Sequence, residues 1–82
     1  FNMDIIKERE ALEARLTELK VYESLREKFI QTMNWDCMVY RPADEEHTDS
    51  WYEAPSEDDT YLYPIYQAYQ RILEKLDKAM SK

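Results

Sequence analysis

The sequence predicts a mainly α fold of the α+β kind. A long N-terminal helix, an acidic central β-hairpin or loop and a C-terminal helix form a helical hairpin that dimerises. Three observations predict it. Glycine is absent and the three prolines stand at 42, 55 and 64, so nothing before Pro42 breaks a helix. Apolar residues recur at helical spacing near both ends of the chain. Nine of the 18 acidic residues fall in the middle, residues 34–60, where Arg41 is the one base. With 11 basic residues the 82-residue chain carries −7, His47 being neutral. This length allows a single domain, residues 1–82.

Residues 3–33 read as the long helix, with Met3 as the natural start and Phe1 and Asn2 as residues added upstream. Residues 1–33 hold seven acidic and six basic residues, net −1, and are rich in Glu, Leu, Ala, Arg and Lys, the strong helix formers. Asp4 favours the N-terminal dipole. Arg9–Glu13 at i,i+4, and Lys7–Glu10, Arg15–Glu18 and Glu23–Arg26 at i,i+3, let the polar face pair with itself. From Asp4 to Met33 such a helix is about 45 Å long. Ile5, Leu12, Leu16 and Leu19 share one stripe. Beyond Leu19 that line meets Glu23, Arg26 and Glu27, and the apolar positions rotate to Tyr22, Leu25, Phe29 and Met33. Either the two halves pack on different elements, or one curved helix wraps a single core.

Residues 34–60 read as a hairpin. Trp35–Arg41 is the first strand, with Cys37, Val39 and Arg41 on one side and Met38 and Tyr40 on the other. Pro42 ends it, Ala43–Asp49 is the loop and Ser50–Glu53 the return. An irregular acidic loop is the alternative. Residues 61–82 form the last helix, its stripe being Leu62, Tyr66, Tyr69, Leu73, Leu76 and Met80, widened by Ile65 and Ile72. Ser56, Asp59 and Thr60 are candidate caps. Pro64 belongs in a first turn, so regular helix begins near Tyr63 or Pro64.

The first helix outreaches the second by about 20 Å. Its overhanging stripe of Ile5, Leu12, Leu16 and Leu19 predicts the dimer interface, since a second copy is the simplest cover.

Most chemistries are disfavoured. Without glycine there is no phosphate-cradling loop. One histidine and one cysteine fall short of a zinc set, and Asp44, Glu45, Glu46, His47 and Asp49 lack the alternation and glycine of a calcium loop. No metal or cofactor is expected, and no enzymatic activity, because serines lack a triad context and the chain offers little volume for a substrate pocket. Direct nucleic-acid and membrane binding fail on charge, since the bases of the first helix are interleaved with Glu. No apolar run approaches the roughly 20 residues of a membrane span. The lone Cys37 excludes an internal disulfide and suits a reducing, cytoplasmic setting.

What remains is acid with aromatic. Trp35, Tyr40, Trp51, Tyr52, Tyr61, Tyr63, Tyr66 and Tyr69 share the region with the carboxylates, too many for so small a core. The expected function is a protein-binding module that docks a basic partner through Asp44, Glu45, Glu46, Asp49, Trp51, Tyr52, Glu53, Glu57, Asp58, Asp59, Tyr61 and Tyr63. Its composition is similar to that of DNA-mimic inhibitors encoded by phages and mobile elements, which implies a nucleic-acid-binding protein as partner. The alternative is a homodimeric helical scaffold in which the acids serve solubility alone.

Overall fold

A computed structural model describes residues 2–81. Phe1, read above as an upstream addition, and Lys82 lie outside the described residues. Helix α1 spans Asn2–Cys37, strand β1 Val39–Arg41, strand β2 Trp51–Glu53 and helix α2 Leu62–Met80. The two helices pack side by side, and the strands form a two-stranded antiparallel sheet. The molecule is a rod of 69 × 27 × 17 Å.

Helix α1 is longer than its sequence pattern suggested. It runs four residues past Met33, so Trp35, Asp36 and Cys37 are helical rather than part of a strand. The reason is tertiary. Met33 and Cys37 are one helical step apart on the side facing α2, and both are buried. Packing at the C-terminal end outweighs the strand propensity of the aromatic and β-branched residues there. The strand that remains begins at Val39, and the return strand begins at Trp51 rather than Ser50.

The helix pair is antiparallel, held mainly by polar clasps around a thin core. Met33, Cys37 and Leu73 are its buried apolar side chains. At one end Arg15 Nη2 donates to the Met80 carbonyl at 2.6 Å. Midway, Asp77 accepts from Tyr22 Oη at 2.6 Å and from both Nε and Nη2 of Arg26, at 2.9 and 3.0 Å. At the other end Tyr69 stacks edge-on to Phe29, centroids 5.5 Å apart, and donates its hydroxyl to Asp36. Arg26 therefore serves the helix pair rather than Glu23. Arg9–Glu13 and Arg15–Glu18 pair along the helix as their spacing predicts.

The α2-facing line of α1 thus runs through Arg15, Tyr22, Arg26, Phe29, Met33 and Cys37. The stripe of Ile5, Leu12, Leu16 and Leu19 lies roughly 70° around the helix from it. All four are exposed, Leu12 at 65%. The single wrapped core does not form: only the C-terminal part of α1 packs on α2, which ends beside Arg15, and residues 2–14 project about 20 Å beyond it with their stripe exposed.

Helix α2 starts at Leu62, one or two residues before the expected start, with Pro64 inside its first turn. Ser56, Asp59 and Thr60 do not cap it by side chain. The flanking residue is Tyr61, which makes no capping hydrogen bond. Asp59 instead closes the preceding turn, accepting from Ser56 N–H at 2.8 Å, while Tyr63 N–H bonds the Asp59 carbonyl at 2.8 Å. Ile65, Ile72 and Leu76, counted with the core stripe by their spacing, are exposed.

The clasps set a pH window. Asp77 is held below its ordinary 3.8, first by Arg26 and then by Tyr22, and Glu53, discussed below, is held under 4.5 by Arg41. A depressed carboxylate stabilises the fold fully above its unfolded pKa and loses that contribution as pH falls through the folded value. Tyr22 is raised above 10.0 by desolvation and its bond to Asp77, and Tyr69 mainly by its bond to Asp36. Those contributions are whole below pH 10 and fade as pH rises through the folded values. The melting temperature is expected to be flat between roughly pH 5 and 9 and to fall on both sides, read by circular dichroism.

Candidate protein-binding surface

The hairpin end is built without glycine, and among the described residues no φ is positive. A two-residue hairpin turn needs positive φ, so the strands are joined by a nine-residue loop, 42–50, instead. Asp44 organises its first half. Its Oδ1 accepts from the N–H of Glu46 at 2.9 Å, from the N–H of His47 at 2.7 Å, and lies 2.9 Å from His47 Nδ1. These bonds, the His47 side chain foremost, hold the carboxyl below the usual range. The His47 ring lies over Trp51, centroids 4.1 Å apart.

The register pairs Val39 with Glu53, Tyr40 with Tyr52 and Arg41 with Trp51. Alternation then sorts the two faces. On one, Tyr40 and Tyr52 meet edge-to-face at 5.5 Å. On the other, Trp51 Nε1 donates to Glu53 at 3.1 Å, and Arg41 Nε donates to the same carboxylate at 2.7 Å. Arg41 Nη2 also reaches Asp59 at 3.2 Å. The single base of the segment thus ties both strands to the turn that leads into α2. Glu53 is lowered chiefly by Arg41, and Asp59 first by the Ser56 N–H with Arg41 adding to it.

The residues singled out by sequence therefore separate into two sets. Asp44, Glu53, Asp59 and Trp51 are engaged within the hairpin. Glu45, Glu46, Asp49, Glu57, Asp58, Tyr52 and Tyr61 are exposed, and Tyr63 is half-buried. Tyr61 is 81% exposed and Tyr52 66%. Among the described residues no ion pair neutralises Glu45, Glu46, Asp49, Glu57 or Asp58.

Sequence reasoning missed an aromatic cleft. Trp35, 87% exposed, sits on the side of α1 away from α2, and with Gln31, Asn34, Met38 and Tyr52 it lines an open cleft of about 640 Å³. Placing Trp35 in a strand hid this. Had the helix been continued to Cys37, Gln31 and Trp35 would have appeared as i,i+4 neighbours, with Asn34 and Met38 close by at the helix end.

Cys37 is fully buried, and burial pushes its thiol up, which makes it a packing residue rather than a nucleophile. Among the described residues no three His, Cys, Asp or Glu side chains gather to hold a metal ion, and no helix is long and apolar enough to cross a membrane. No protein-family model matches the chain, and no curated protein or solved structure matches it at a significant level, so its surface is read from its own residues.

Proposed function

We propose that this protein is a non-enzymatic binding module whose hairpin end docks a basic protein partner. In the strongest form the partner is a nucleic-acid-binding protein whose cleft is occupied by DNA mimicry. One observation carries the reading. Residues 34–60 hold nine carboxylates against one guanidinium, and that guanidinium is committed to Glu53 and Asp59. Glu45, Glu46, Asp49, Glu57 and Asp58 are left facing solvent, at the same end of the rod as exposed Trp35, Tyr52 and Tyr61. Uncompensated acid speeds encounter with a cationic surface, and exposed Trp and Tyr supply the area that holds it. A single buried thiol suits a reducing compartment such as the cytoplasm.

The test is a variant that removes charge without disturbing the turn: Glu45→Gln, Glu46→Gln and Asp49→Asn, with Asp44 retained because it closes the loop. The variant is expected to keep its helical circular dichroism and to lose capture of its partner from a low-salt host extract. Capture by the parent chain should fall steeply as salt rises, and duplex DNA should compete the partner away if mimicry holds. Capture that ignores the three substitutions sinks the reading.

The second reading is a homodimeric helical scaffold. It is favoured by the exposure of Ile5, Leu12, Leu16 and Leu19, all on or next to the overhang that α2 leaves uncovered. On this reading Leu12→Asp dissolves self-association while the acidic substitutions leave it intact.

A further inference from the structure

A 10.0 kDa chain folded as a compact monomer exposes about 5,200 Å² and has a radius of gyration near 12 Å. This one exposes 7058 Å² with a radius of 19.9 Å. The surplus, on the order of 1,800 Å² per copy, exceeds the roughly 800 Å² that each partner contributes to a standard interface. Large apolar side chains are exposed along both helices, and not all of them lie on the overhang.

The second apolar surface runs the length of α2. Ile65, Ala68, Ile72, Leu76 and Ala79 fall within about 40° of one line, roughly 100° around the helix from the side that faces α1. Ile72 is 49% exposed, and Ile65 and Leu76 are exposed beside it. Pro64, Ile65, Ala68, Tyr69 and Ile72 line a shallow groove there, with Ala68 as the small residue among larger ones. Because the helices are antiparallel, this surface lies on the opposite side of the hairpin from the Ile5–Leu19 stripe. Val21 and Leu25 of α1, both exposed, fall on the α2-stripe side by the same wheel geometry.

The stripe is complementary to its own reverse. Turned end for end about Ile72, it sets Ile65 against Ala79, Ala68 against Leu76 and Ile72 against itself. Large meets small at every layer but the central one, the alternation that lets facing helices interdigitate. The leucine at 76 of one copy then faces the groove at Ala68 of the other. Position 72 is also close to the midpoint of Leu62–Met80, so the whole helix is used. A surface that matches its own two-fold rotation is what an isologous contact requires.

We propose that two copies pair through the outer stripe of α2, antiparallel, with Ile72 on the two-fold axis. This rests on the self-association of the second reading above, but moves the contact from the overhang to α2. Arg71 and Lys75 rim the stripe and each copy carries −7, so pairing brings like charges together. The dimer therefore tightens with added salt, opposite to capture of a basic partner.

The experiment is disulfide trapping of Ile72→Cys, with sedimentation of the parent chain and of Leu12→Asp. Facing helices 8–10 Å apart bring axial Cα atoms within about 6 Å, inside disulfide reach. On mild oxidation Ile72→Cys should form a covalent dimer, and should still do so when Leu12→Asp is added. The parent chain, its one thiol buried, should not cross-link. A parent that sediments as a dimer, dissolves with Leu12→Asp and leaves Ile72→Cys uncrosslinked overturns the α2 contact and keeps the overhang dimer. A parent monomeric at all working concentrations and salts overturns both.

Discussion

Leu73→Ala is expected to lower the melting temperature by roughly 10–25 °C. Among the described residues Leu73 is one of three buried apolar side chains joining α1 to α2, and truncating a buried leucine costs about 2–4 kcal/mol. A domain of this length holds on the order of 4–12 kcal/mol in total, so one residue accounts for a large share. The rest of the helix interface is half-buried, made of the polar clasps and the Phe29–Tyr69 ring contact. Tyr61→Ala is the control. Tyr61 is exposed and makes no capping bond, so its removal should fall within about 0.5 kcal/mol of the parent. Thermal unfolding at fixed protein concentration and salt checks both. Equal effects from the two substitutions would mean the core does not lie where Leu73 is buried.

Arg41→Ala is expected to melt the hairpin while leaving α1 and α2 helical. An isolated two-stranded ribbon is marginal in water. This one is joined to the rest of the fold by an arginine that donates to Glu53 on β2 and to Asp59 in the turn before α2. Without it, segment 34–60 goes from nine acids against one base to nine against none. Glu53 and Asp59 then repel across the gap the guanidinium filled. Amide hydrogen exchange at Val39–Arg41 and Trp51–Glu53 should lose protection, with helical circular dichroism nearly unchanged. Arg41→Lys should restore little, because one ammonium cannot reproduce the guanidinium fork. Retained protection in Arg41→Ala would show that the Tyr40–Tyr52 contact and the ladder hold the strands unaided.

Partner capture should respond differently to these substitutions. Arg41→Ala leaves the exposed acids in place but unfastens the frame that presents them. Neutralising Glu45, Glu46 and Asp49 keeps the frame and removes the charge. A partner that reads charge alone tolerates the first and not the second.

Much of the architecture was legible in sequence because it rests on local rules. Unbroken helix formers before Pro42 set α1, the stripe around Leu73 set α2, and turn chemistry with alternating residues set the hairpin. The shift of the apolar stripe after Leu19 foretold that the face of α1 that packs on α2 is not the face that carries Ile5, Leu12, Leu16 and Leu19, which stays exposed. The candidate surface was legible only in part. The carboxylates could be counted, yet nothing in their order distinguished Asp44, Glu53 and Asp59, which accept hydrogen bonds from His47, Arg41 and Ser56, from Glu45, Glu46 and Asp49, which face solvent.

By itself the sequence determined the helices, the overhang and the concentration of acid in the middle of the chain, since propensity, periodicity and charge count are properties of neighbours along the chain. Tertiary structure alone decided where α1 stops, which carboxylates Arg41 and Arg26 take, and which apolar face of α2 is left in water. Each of those depends on contacts across dozens of residues, where burying Cys37 against α2 outweighs a local preference for strand.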